Sequence, residues 1–135
     1  VKQIVHLKEP AGAITSPAMV FERVSSIDID FDQENFLILT FTARQQVISA
    51  EVLFKGGIDT VIMDPRIIFK KALLDNAAGF LVAHNHPSGH LDPSDEDLQA
   101  TRAIREAADL LKIRFCDHVI FNKSHYYSLN RSGKL

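Results

Sequence analysis

The chain has 135 residues, close to the usual size of one domain and long enough to bury a real core. Hydrophobic residues make up 46% and charged residues 24%, which excludes an intrinsically disordered chain. A formal net charge of −2, from 15 basic and 17 acidic residues, provides no global pull toward nucleic acid and leaves only a local basic patch open.

In chain order, "VKQIVHL" alternates in the manner of a strand or an arm packed on the domain. "SPAMVFERV" reads as a short helix, with Ser16 as N-cap and Pro17 in the first helical position. "NFLILTFT" and "QVISAEVLF" are two β-rich runs, and the polar "ARQ" between them suits a hairpin. Gly56-Gly57 interrupts the second run, and "IDTVIM" is expected to be a third strand. Asp64-Pro65 opens a segment whose apolar residues, Ile67, Ile68, Ala72, Leu73 and Leu74, recur at helical spacing. "GFLVA" is an apolar run without polar alternation, as expected of a strand covered on both faces. A longer helix is expected from about Ser94 to Leu111, followed by "IRFCDHVIF", a turn at Asn122-Lys123 and "HYYSL". The polar tail "NRSGKL" is expected to fray. Interleaved strands and helices predict an α/β domain with a mixed central β-sheet flanked by helices.

The chemistry concentrates in "AHNHPSGHLDPSDED", residues 83–97. In an extended backbone, residues i and i+2 point the same way, so His84 and His86 can face one ion at the end of a buried strand. The plain alternative is a pair of solvent-facing loop histidines. Asp97 also has two readings. Ser94-x-x-Asp97 fits a capping box, and Asp95, Glu96 and Asp97 suit the positive end of a helix dipole. A cap does not exclude ligation, because a residue in the first helical turn can face back toward the histidines. Two imidazoles and one carboxylate form a good zinc set with a fourth position open to water, the arrangement of a catalytic site. Such a site needs a base and an oxyanion donor. Glu51, an acid inside the otherwise apolar "ISAEVLF", is the candidate base, against the alternative of a solvent-facing strand residue. Ser94 or Ser88 can donate to the oxyanion, although turn chemistry accounts better for Ser88.

Other polar residues suggest less. Cys116 is the only cysteine, which excludes an internal disulfide, suits a reducing cytoplasm and reads as a small core residue. Cys116 and His118 share a strand face, but no third ligand stands near them, and "IRFCDHVIF" reads as core. Asp117 and His118 are strand neighbours on opposite faces and cannot pair directly as parts of a triad. His6, His90 and His125 read as ordinary histidines. Phosphate-loop and dinucleotide-binding glycine patterns are missing, and a single cysteine excludes the zinc-deaminase signature. No apolar run approaches the roughly 20 residues of a membrane span, and the opening residues have no signal-peptide pattern.

As one string, H-N-H-P-S-G-x-x-x-P-S-x-x-D (His84 to Asp97) resembles the JAMM motif of the JAB/MPN metallopeptidases, most closely in their RadC-like branch. The similarity extends through "NFLILTF", "EVLFKGG", "DPRIIFKKALLDNAAGFLVA" and "DHVIF". The resemblance implies a three-layer, cytidine-deaminase-like architecture. It also implies a Zn2+ held by His84, His86 and Asp97 with water as fourth ligand, Glu51 as the upstream general base and Ser94 as the oxyanion-stabilising serine. Family members with the complete motif cleave peptide or isopeptide bonds, and the RadC-like branch is traditionally labelled DNA repair. Gly56-Gly57 and Asp64-Pro65-Arg66-Ile67 depart from the branch's usual G-T and H-P-R-E without touching a proposed ligand.

The expected function is therefore zinc-dependent hydrolysis of amide bonds in a peptide or isopeptide-linked protein substrate. The competing expectation is a non-catalytic DNA-repair or replication-associated binding module with a structural or vestigial metal site. A third is a scaffold that dimerises through an exposed strand such as "NFLILTF". Residues 1–135 are expected to form a single domain, with 1–25 an N-terminal arm or helix. Opening on Val1 rather than Met, the chain is expected to be a fragment lacking the upstream helix-hairpin-helix region of RadC-like proteins.

Overall fold

The computed structural model describes residues 13–56 and 63–135. The strand or arm expected over "VKQIVHL" and nearly all of "IDTVIM" lie outside those residues. The elements follow in the order α1 (Pro17–Ser25), β1 (Glu34–Phe41), β2 (Val47–Gly56), α2 (Pro65–Leu74), β3 (Gly79–Asn85), α3 (Asp95–Leu111), β4 (Arg114–Phe121) and β5 (Tyr126–Ser128).

Local chemistry sets the boundaries. Ser16 accepts the amide of Met19 and Asp64 accepts that of Arg66, each just before a proline that opens a helix. The β1–β2 hairpin closes through Gln45 at φ 64°, with Thr42 and Gln46 paired at 2.9 Å. At the end of α2, Asn76 takes the left-handed conformation (φ 51°), and the next amide, Ala77, returns to the carbonyl of Ala72.

The strands form one five-stranded sheet in the order β2-β1-β3-β4-β5. β1 is antiparallel to both β2 and β3, β3 is parallel to β4, and β4 is antiparallel to β5. The parallel pair is joined through α3, as a crossover between parallel strands requires. One face of the sheet, with Phe36, Ile38, Phe80 and Val82, packs against Ile68, Phe69 and Ala72 of α2 and Ile104 and Ala108 of α3. The opposite face, with Leu37, Leu39, Leu81 and Val119, is covered by Val20 and Val24 of α1. The result is a three-layer α/β domain with a mixed sheet, as the sequence indicates.

Two expectations change. β1, which contains "NFLILTF", lies between β2 and β3 and is buried along its length, so it offers no edge through which copies could pair. The tail is tied down: the amide of Lys134 reaches the carbonyl of Leu129 at 2.8 Å, and Gly133 that of Asn130 at 3.0 Å.

Candidate metal centre

β3 is buried throughout and delivers His84 near its C-terminal end. His86, the first residue after the strand, keeps the same side, and the two Nε2 atoms lie 3.0 Å apart. The loop turns at Gly89, which takes φ +82° and donates its amide to the carbonyl of His86. Asn122, after β4, holds the same turn through the Gly89 carbonyl at 3.0 Å. Ser88 accepts the amide of His90, so its role here is turn chemistry. Ser94 then caps α3, and the expected capping box is complete: Asp97 N donates to Ser94 Oγ at 3.0 Å, and Ser94 N to Asp97 Oδ2 at 2.9 Å.

That cap aims Asp97 at the histidines. Its Oδ1 is 3.3 Å from His84 Nε2 and its Oδ2 is 3.1 Å from His86 Nε2. One ligand atom from each of His84, His86 and Asp97 lies within 4.8 Å of the others, a spacing that can hold a metal ion. The capping and ligand readings of Asp97 are thus compatible, since its two oxygens share the work.

The ring orientations favour ligation. His86 Nδ1 is 2.9 Å from the His90 carbonyl, which can only accept, so Nδ1 carries the proton and Nε2 faces the cluster. His84 Nδ1 meets His118 Nε2 at 2.8 Å on the side away from the cluster. Burial pushes the His84 imidazole below its ordinary pKa, against the pull of Asp97. The bond to Asp97 outweighs burial at His86 and pushes that imidazole up. Burial opposes ionisation of Asp97, yet the imidazoles of His84 and His86 beside it hold its carboxyl far below the usual carboxylate range.

Glu51, the sequence candidate for the base, is not brought to this cluster. Reading across the sheet, Glu51 pairs with Ile38 and Ile38 with Val82, one same-face row below the Phe36–His84 pair. Glu51 also stands on β2, with β1 between it and β3. Its Oε1 lies 3.2 Å from Lys71 Nζ, in a polar network with Asp75, Thr40 and Ser49.

Glu34 occupies the place expected for Glu51. It is the first residue of β1, on the same face as Phe36 and one row beyond it, with Oε2 4.0 Å from His84 Nε2. Burial pushes its carboxyl up to about 7, partly offset by His86. Its Oε1 is buried without a hydrogen-bond partner, an observation that fits a bound ion or water in front of it. Asn85, between the two histidines, holds it in place. Asn85 Oδ1 accepts the amide of Asn35 at 2.8 Å, and Asn85 Nδ2 donates to the carbonyl of Gln33 at 2.9 Å, the two residues flanking Glu34.

The residues matched by a family model agree with this geometry: the model of the RadC-like JAB domain covers residues 14–134. The chain belongs to the RadC-like JAB family. Among curated proteins it is 37% identical over 120 residues to a UPF0758 protein of Staphylococcus haemolyticus, covering 89% of this chain and 53% of that one. It is 38% identical over 129 residues to a UPF0758 protein of Cupriavidus pinatubonensis, covering 96% and 56%. A UPF0758 protein of Vibrio atlanticus shares 40% identity over 121 residues, covering 90% and 54%. The chain therefore spans about half the length of these relatives. Among the described residues, no helix is long and apolar enough to cross a membrane.

Proposed function

We propose that this domain is a zinc-dependent hydrolase of amide bonds, acting on a peptide or isopeptide linkage. The observation that carries the reading is the convergence of His84, His86 and Asp97 beside the buried, raised-pKa carboxyl of Glu34. Both imidazole Nε2 atoms and a carboxylate suit zinc and leave a position open, and His84, His86 and Asp97 would hold the ion. Bound there, zinc supplies a Lewis acid that acidifies water and polarises a carbonyl.

The protein's own groups do the rest. Glu34, with Oε2 4.0 Å from His84 Nε2, is placed to accept a proton from the attacking water and return it to the departing amine. This gives Glu34 the role that the sequence suggested for Glu51. Ser94, bonded to Asp97, accepts one amide through Oγ and keeps its own proton to donate to the developing oxyanion.

Glu34→Gln tests the reading. The variant should retain zinc and lose hydrolysis of peptide and isopeptide substrates by at least about 100-fold, the lower end of general-base contributions. Full activity in Glu34→Gln would remove Glu34 from the mechanism. Salt-dependent DNA binding that survives His84→Ala would instead favour the binding-module alternative.

A further inference from the structure

His118 looks like a core histidine in the sequence, yet it is fully buried against a proposed metal ligand rather than among apolar residues alone. Its Nε2 lies 2.8 Å from His84 Nδ1, and its Nδ1 lies 2.7 Å from Thr101 Oγ1. Thr101, one turn along α3 from Asp97, places the same Oγ1 2.7 Å from the Asp97 carbonyl.

Hydrogen-bond chemistry gives this chain a direction. A backbone carbonyl only accepts, so the single hydroxyl proton of Thr101 goes to Asp97. Thr101 Oγ1 must then accept from His118 Nδ1–H, which leaves His118 Nε2 as an acceptor. His118 Nε2 in turn accepts the proton of His84 Nδ1, so the lone pair of His84 is left on Nε2, the atom that faces His86 and Asp97. The opposite tautomer of His84 would put a proton where a cation has to bind.

We propose that His118, directed by Thr101, is a positioning residue that fixes the His84 tautomer and thereby prepares Nε2 for the metal. The inference deepens the metal-centre reading and rests on it for its purpose. The relay runs from α3 through β4 to β3, so one ligand's backbone carbonyl, that of Asp97, sets the proton on another ligand's ring.

Two measurements test it on the whole chain. Long-range 15N NMR of metal-free protein reports the tautomer of His84, and zinc titration against a chromophoric chelator reports affinity. The wild type should show His84 protonated at Nδ1. His118→Leu, which fills the space but cannot accept, should weaken zinc binding by about 10–100-fold, the usual effect of losing the partner behind a metal-bound histidine. His118→Gln, whose amide oxygen can accept from His84, should recover most of that loss. Thr101→Val should give a mixed His84 tautomer, and Thr101→Ser should match the wild type.

A folded His118→Leu with wild-type affinity would overturn the proposal. An Nε2-protonated His84 in the metal-free wild type would do the same. If His118→Leu does not fold, Thr101→Val decides: an unchanged His84 tautomer overturns the relay. The tautomer is read without metal, so a wild type that binds no zinc refutes the proposed hydrolase while Nδ1-protonated His84 still supports the relay.

Discussion

Glu34 enters the buried sheet with a carboxyl pushed up to about 7, and this has a consequence in the metal-free protein. Its folded pKa lies above the ordinary value of 4.5, so the native state holds more protons than the unfolded chain between those values. The stability it contributes is present below about 4.5 and is lost as pH rises through about 7. Glu34→Gln should therefore gain stability relative to metal-free wild type between about pH 5 and pH 8. Thermal melts of the two proteins across that range check it, and a constant difference would contradict the raised pKa. Glu51→Gln has a different signature. It should leave hydrolysis intact and cost on the order of 1 kcal/mol, because Lys71 keeps Asp75 at 3.1 Å; denaturant melts beside an activity assay separate the two effects. The choice between these glutamates was hard to read from sequence because Glu34 sits at the boundary of an apolar run, where it passes for loop. Glu51 stands out inside its strand, but its partner Lys71 is brought there only by the packing of α2. His118 was missed for a related reason: strand periodicity says which face a side chain takes, not that His84 waits there.

At the scale of elements, the motif works because a strand end and a helix start meet. β3 supplies His84, α3 supplies Asp97 through its cap, and the loop between them turns at Gly89. Each of these parts was legible, since the alternation of histidines, the capping pattern and the Pro/Gly loop are local signals. The attachment of β1 was not, because strand pairing across the hairpin and onto β3 is a non-local choice. Asn85 makes that attachment at the site by bonding to Gln33 and Asn35 on either side of Glu34. Asn85→Ala should retain zinc within a few-fold while lowering kcat by at least about tenfold, as displaced catalytic groups do. Zinc titration paired with steady-state kinetics checks this; equal loss of zinc affinity and kcat would mean that Asn85 supports the ligands rather than the base.

Over the whole molecule, three layers place an ionisable cluster at the end of a sheet that carries an apolar core on each face. Interleaved strand and helix patterns make that layering legible in the sequence, whereas the order β2-β1-β3-β4-β5 follows from pairings that composition does not encode. The chain spans about half the length of its curated relatives, so substrate choice in the full-length proteins belongs with the proposed activity. The central claim is that His84, His86 and Asp97 form one metal centre. Its most direct test is zinc content by mass spectrometry after zinc loading and removal of excess ion. About one zinc per chain is expected in the wild type and in Glu34→Gln, and essentially none in His84→Ala or Asp97→Ala. A wild type without zinc, or a His84→Ala variant that keeps it, would contradict the claim.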